Sequence, residues 1–406
     1  MPPKVLQEFD YLLVGGGLGN ALIALALFAA RPGARVGLVE QAPALGGNHV
    51  WCFHSGDVDG AAMPLVSRLI GASWPRYEVR FPELRRTLEE PYAAVRSDRL
   101  DQVAQEAFIG RAGSRLFLGT RAVKTSERAV MLETGQELRA HTVIESRGPD
   151  ALSAGPRAGY QKFLGLELKL RRPSPIAHPL LMDALVPQRD GFRFLYALPF
   201  APDRVLLEDT YFSDSPALEQ AQLEAEILGY AALNGFDVDY VARRESGVLP
   251  LPTRLPKLAN PAPGGPLVAG YQGAWFHPVT GYSFPVAARL ATAIASAEPS
   301  RLREEVWPRL LREQASQLRF CLLLNRLFFG AFAPGERRNV IERFYSLPAE
   351  SVRRFYAMTL THADRARILC GRPPRGFSLR RALSGAGPAL DAAPPARRSA
   401  PGEALS

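Results

Sequence analysis

Residues 11–30, YLLVGGGLGNALIALALFAA, carry no charge over about the length of a bilayer-crossing helix, and how they are read decides the fold. A spanning helix would be broken near its start by the consecutive Gly15, Gly16 and Gly17. A short buried strand at 11–14, a tight glycine turn and a helix over 21–30 make use of all three. A secretory signal fits no better, because the positive region is a lone Lys4, and Glu8 and Asp10 precede the apolar run. Residues 35–39 then read as a second buried strand ending in Glu40. In such a strand–helix–strand unit the glycines let the backbone approach a pyrophosphate. The helix N-terminus offers it free N–H groups, and the acid ending the second strand binds a ribose hydroxyl. Gly15, Gly16, Gly17 and Glu40 are therefore expected cofactor contacts, with Asn20 standing where a third glycine is usual.

The chain continues Leu45-Gly46-Gly47-Asn48-His49. An acid followed shortly by Gly-Gly suits a longer cofactor that needs a second close backbone approach, so Gly46 and Gly47 favour FAD over NAD. Later segments resemble the remaining pieces of a hydroxylase-type flavin site. AVRSDRL at 94–100, with Arg99, resembles the opening of a helix beside the cofactor, and TVIESRG at 142–148 resembles the strand and turn that return to it. At 267–291, LVAGYQGAWFHPVTGYSFPVAARLA reads as a strand ending at Gly270, a loop through Gly281, and a helix whose N-terminus favours negative charge on the flavin. Tyr271 replaces the usual Asp there.

The expected fold class is α/β. A Rossmann-type FAD-binding domain (1–50, 95–150 and 260–300) is interleaved with a mostly antiparallel β-sheet substrate domain (51–94 and 151–259). A basic helical region at 301–376 and a disordered tail at 377–406 follow.

Composition agrees with this reading. Of 406 residues 47% are hydrophobic and 22% charged, enough apolar mass for a sizeable core and too much for a disordered chain. Three scattered cysteines, Cys52, Cys321 and Cys370, form neither a disulfide framework nor a metal pair, which suggests a reducing compartment. No histidines are spaced as metal ligands on a helix, so no metal is expected. The net charge of +9 is concentrated at the end: residues 301–375 hold 15 Arg against 7 acids, and the residues before them are close to neutral. Such basicity suits an anionic membrane surface, a nucleic acid or simple solvation, and no other feature supports nucleic acid.

Residues 191–212, GFRFLYALPFAPDRVLLEDTYF, read as a hairpin turning at Pro202 and Asp203. Alternation puts Leu206, Glu208 and Thr210 on one face and Leu207, Asp209 and Tyr211 on the other, so only one of the adjacent acids points into a given cavity. A carboxyl group on an apolar floor is kept protonated by desolvation and becomes a usable general acid; the alternative is a solvated or Arg-paired edge strand.

Ten blocks follow one another over roughly residues 9–375: VGGGLGNALIA, GGNHVWCFH, MDA, FRFLYALPF, LLEDTYF, GVLPLP, WFHPVTGYSFP, LNRLFF, RFYSLP and RFYAMTLTHADRARILCGRPP. In order and spacing they resemble the bacterial flavin-dependent lycopene β-cyclases of carotenoid biosynthesis. The resemblance implies that Glu208 is the catalytic acid with Asp209 its supporting neighbour, and that Asn20 is a habit of the family. It implies cyclisation of the linear ends of lycopene, or of other linear-ended carotenoids, to β-rings with no net redox change, using reduced FAD maintained by NADPH or NADH. The aromatics Tyr196, Trp275, Phe276 and Tyr282 are candidates to face a cation. The expected location is cytoplasmic, peripheral to the inner face of the membrane through the basic helices, with other carotenoid enzymes as candidate partners. A flavin monooxygenase or prenyl reductase on the same fold, and a non-enzymatic dinucleotide-binding carrier, are the alternatives.

Overall fold

In the computed structural model, which describes residues 8–148, 158–254, 261–370 and 373–384, strand Glu8–Val14 is central. It pairs in parallel with Val36–Val39 on one side and Glu137–Glu145 on the other. Arg115–Phe117 extends the sheet in parallel beyond Val36–Val39, and Leu267–Val268 pairs with the end of Glu137–Glu145. The antiparallel strands Ala129–Leu132 and Ala122–Thr125 complete seven. Between the first two strands runs helix Leu18–Ala30, buried along ten positions from Leu18 to Phe28. A helix apolar all round must be covered on every side, and Phe284–Ser296 packs with it in the same core. The uncharged stretch at 11–30 is thus strand, turn and buried helix.

A second sheet has seven strands in the order Val238–Pro252, Ala158–Leu170, Arg204–Ser213, Phe192–Ala201, Leu180–Asp183, Tyr77–Arg80 and Arg85–Leu88. All its pairings are antiparallel except that of Leu180–Asp183 with Tyr77–Arg80. The expected hairpin is present, its strands Phe192–Ala201 and Arg204–Ser213 joined at Pro202-Asp203. Helix Gln220–Leu233 packs through Leu223, Ile227 and Ala231 on the face that carries Leu207 and Tyr211. The other face, with Leu206 and Phe212, meets Trp307–Ala331, Arg337–Tyr345 and Ala349–Tyr356.

Two details differ from the sequence-based partition. Val50–His54, Tyr92–Arg96 and Ala72–Trp74 form a small sheet of their own. The segment expected to be disordered from 377 starts ordered, because Phe377 bridges and packs edge-on to Phe332 before helix Leu379–Ser384. Residues 385–406 lie outside the described residues. No helix among the described residues is long and apolar enough to cross a membrane, and no cluster of three metal-ligating side chains occurs among them.

Candidate active site

The glycine turn is built for close approach. Gly15 has φ +92° and donates to Val39 O at 2.9 Å, and a Cβ there would lie 2.9 Å from Arg147 N and from Ser146 O. Gly16 N–H donates to Glu40 Oε2 at 2.6 Å, while Glu40 Oε1 accepts from Ala42 N at 2.7 Å. Asn20, fully buried, donates from Nδ2 to Val14 O and Gly15 O at 2.9 Å each, so its amide braces the turn where a third glycine is usual. The helix after the turn has Gly17 as N-cap with no side-chain cap. Gly17, Leu18 and Gly19 line a cavity of about 410 Å³. A helix N-terminus opening on a cavity beside a glycine turn suits a pyrophosphate, so these residues fit a dinucleotide.

The same cavity runs past Ser146, Gly270 and Gly281 to Glu208, joining the two expected halves of the site. Gly46 supports the turn from behind, donating to Gly16 O at 2.8 Å, and Gly47 lies next to His49, which lines the cavity. Arg99 is placed elsewhere: its guanidinium donates to Arg68 O at 3.2 Å and to Gln102 Oε1 at 3.1 Å. Tyr271, in the position of the usual Asp, stacks on Phe276 with ring centroids 4.1 Å apart and donates to Pro250 O.

Glu208 stands on the cavity floor, and among the described residues no cationic side chain pairs with it. Its Oε1 accepts from Thr210 Oγ1 at 2.6 Å. Across the sheet Glu208 is opposite Gly165, and Gly165 is opposite Glu245 on its other side, so the two glutamates share one row and one face. Gly165 makes room for the Glu245 side chain to lie over it: a Cβ there would lie 2.9 Å from Glu245 Cγ. Desolvation, then the neighbouring Glu245 carboxylate, push Glu208 up to about 8, outweighing the Thr210 hydrogen bond. Part of the side chain is open to the cavity, and the apolar and aromatic lining around the carboxyl accounts for the direction. Glu245 is raised too, by burial, against the opposing effect of Arg243, whose Nη1 lies 2.9 Å from Glu245 Oε2.

Asp209 faces the other way. It is fully buried and held by Arg193, with contacts of 2.9 Å from Nε and 2.7 Å from Nη2, and by Tyr211 Oη at 3.3 Å. Arg193 also reaches Glu226 on helix Gln220–Leu233 at 3.2 Å, which ties that helix to the sheet. Asp209 is therefore linked to Glu208 only through the strand they share and does not line the cavity.

Around Glu208 the walls are aromatic. Tyr196, its cross-strand neighbour, bonds Tyr92 Oη at 2.9 Å and Cys52 Sγ at 3.0 Å, and burial pushes both phenols well up, so both are neutral. Tyr282 donates to Asp57 Oδ2 at 3.1 Å, and Asp57 also holds His54 Nδ1 at 2.9 Å. His277, in the loop before helix Phe284–Ser296, is buried, bonds Phe355 O at 3.0 Å and is pushed down to about 4 by desolvation. Sequence reasoning missed Gly165, Glu245 and Tyr92. The first two become partners of Glu208 only through strand register, which no local pattern reveals.

Comparison with known proteins fits this geometry. In solved structures the chain resembles a flavin-dependent brominase (TM-score 0.58, 13% identity, covering 86% of this chain and 94% of that one). It also resembles a probable FAD-dependent monooxygenase from Pseudomonas aeruginosa (0.55, 19%, 86% and 98%). A geranylgeranyl bacteriochlorophyll reductase-like protein from Thermoplasma acidophilum is a third neighbour (0.56, 12%, 93% and 96%). The fold is that of the monooxygenase and reductase-like flavoproteins. In sequence, residues 10–382 match the family described as Lycopene cyclase protein. The chain is 37% identical over 374 residues to a lycopene beta-cyclase of Pantoea ananas, covering 90% of this chain and 95% of that protein. It is 38% identical over 371 residues to that of Pseudescherichia vulneris, covering 90% and 94%. The chain belongs to the lycopene cyclase family.

Proposed function

We propose that the protein is a lycopene β-cyclase in which Glu208, protonated at neutral pH, starts ring closure. The observation that carries this reading is an acid, without a cationic partner among the described residues, on the floor of a cavity whose far wall is the glycine turn. A linear polyene end offers no polar group, so only a positioned acid that keeps its proton and a dry, aromatic surround can act on it. The acid delivers its proton to the terminal double bond. The tertiary cation is attacked by the next double bond, a six-membered ring closes, and loss of one proton leaves the β-ring. Glu208, ionised by the first transfer, is a base in reach for the second. Protons balance and no electrons are gained or lost. Neutral Tyr196 and Tyr282 face the cation with π-electron density.

FAD would be held by Gly15, Gly16, Gly17, Asn20, Glu40 and the loops at Gly46, Gly47, Gly270 and Gly281. When bound in its reduced form, maintained by NADPH or NADH, it supplies negative charge that favours a nearby cation. The basic C-terminal helices would meet an anionic membrane surface, where the lipid-dissolved substrate resides. Expression in a lycopene-accumulating bacterium, with chromatography of the pigments, tests the reading: cyclised carotenes are expected, and unchanged lycopene would refute it. Oxidation of NADPH in proportion to product would instead indicate the monooxygenase or reductase alternative.

A further inference from the structure

A second space, of about 330 Å³, lies next to the reaction cavity, beneath the C-terminal helices. Leu324, Leu327 and Phe328 of helix Trp307–Ala331 line it together with Val340, Ile341 and Phe344 of helix Arg337–Tyr345. Met182, Phe212, Thr280 and Tyr356 line both spaces, so nothing thicker than these side chains separates the two. Met182 is unbranched and adapts its shape readily. Arg343, Arg367, Leu369 and Phe377 also line the second space, the last two 45% and 40% exposed. Leu379, two residues further on, is 63% exposed. Large apolar side chains left in the open beside arginines suit a mouth that meets an apolar phase with an anionic surface.

The reaction cavity must receive both the reactive part of a dinucleotide and the reacting end of the substrate, and at about 410 Å³ it has no room to coil a very long chain as well. A conjugated chain is stiff and leaves the reacting centre in a nearly straight line. It makes no hydrogen bonds, so apolar burial alone can hold it. On the reading of the protein as a lycopene cyclase, we infer that the polyene passes between Met182, Phe212, Thr280 and Tyr356 into the second space and emerges at the rim formed by Leu369 and Phe377.

The test uses the full chain loaded with FAD. In Leu327→Cys, the rate at which a maleimide modifies position 327, read by mass spectrometry, is expected to fall roughly tenfold when lycopene is present near ten times its Kd. Equal rates with and without lycopene would overturn the route, as would equal slowing by lycopene-free lipid vesicles, which would assign the space to an acyl chain. In Ile341→Trp, lycopene conversion is expected to drop roughly tenfold or more with FAD still bound, and undiminished conversion would overturn the route. If that variant loses FAD, protection at position 327 decides alone. Wild-type conversion of lycopene is measured alongside; its absence would sink the proposed activity and is a separate result from failure of the route.

Discussion

Replacing Glu208 with Gln should inactivate the enzyme and at the same time stabilise it, by an amount that depends on pH. The folded protein holds the Glu208 proton up to about pH 8, whereas the unfolded chain releases it near the ordinary value of 4.5. Below 4.5 both states are protonated and the group contributes no difference. Between 4.5 and about 8 the native state binds more protons than the unfolded state, so native stability falls as pH rises. At 1.36 kcal/mol per pH unit, the loss between pH 5 and pH 7 comes to at most ~3 kcal/mol. Partial opening of the carboxyl to the cavity brings the expected value to about 1–3 kcal/mol. Glutamine keeps the shape and removes the titration. Glu208→Gln should therefore melt close to the native protein at pH 5 and several degrees above it at pH 7 to 8. Thermal unfolding of both FAD-loaded proteins across this range, with cyclisation of lycopene measured on the same samples, checks it. Two Tm curves that run parallel with pH would refute the reasoning, because they would mean that Glu208 is ionised in the native state like any exposed carboxylate.

Two further outcomes follow from the row of residues around Glu208. Glu245→Gln removes the like charge across Gly165. Two strand spacings, roughly 10 Å, at an effective dielectric constant of about 20 give ~2 kcal/mol, so the alkaline limb of kcat should move to lower pH by about one unit; an unmoved limb would remove Glu245 from the account. Asp209→Asn leaves Arg193 buried without its bidentate partner and should cost about 3 kcal/mol in urea or thermal unfolding. The Asp209 charge is the smallest of the effects that raise Glu208, so the alkaline limb of the surviving activity should fall by less than in Glu245→Gln, and a larger displacement would place Asp209 at the reacting centre after all.

The parts of the molecule legible in the sequence are those written in short-range order. The glycine turn needs Gly15 at positive φ and an acid at the end of the next strand, and both requirements lie within one strand–helix–strand unit. The assignment of Glu208 and Asp209 to opposite faces follows from alternation alone. What alternation cannot supply is the identity of the facing residues. Gly165 and Glu245 reach Glu208 through pairings set by the register of three long strands, and Arg193 captures Asp209 across the hairpin. The second apolar space is illegible for the same reason: its walls come from helices whose apolar positions look alike whether they pack on a core or on a cavity.

The adjacent acids show why long-range register decides the chemistry. Glu208 and Asp209 share a strand and nearly the same intrinsic acidity, yet the hairpin partner gives one of them a buried guanidinium and the next strand but one gives the other a second carboxylate. An ion pair favours the charged form of an acid and a like charge disfavours it. Burial alone would raise both, and Arg193 is what opposes that rise at Asp209. The sheet thus keeps its Arg-paired carboxylate on the face covered by helix Gln220–Leu233 and its available proton on the cavity face. Exchanging the two positions, Glu208→Asp with Asp209→Glu, would retain both carboxylates and the net charge while withdrawing the cavity acid by one methylene and crowding Arg193 by one. Cyclisation should fall roughly a hundredfold from the misplaced proton alone, with FAD retained, and native activity in the exchanged protein would show that reach, and with it the floor position of Glu208, does not matter.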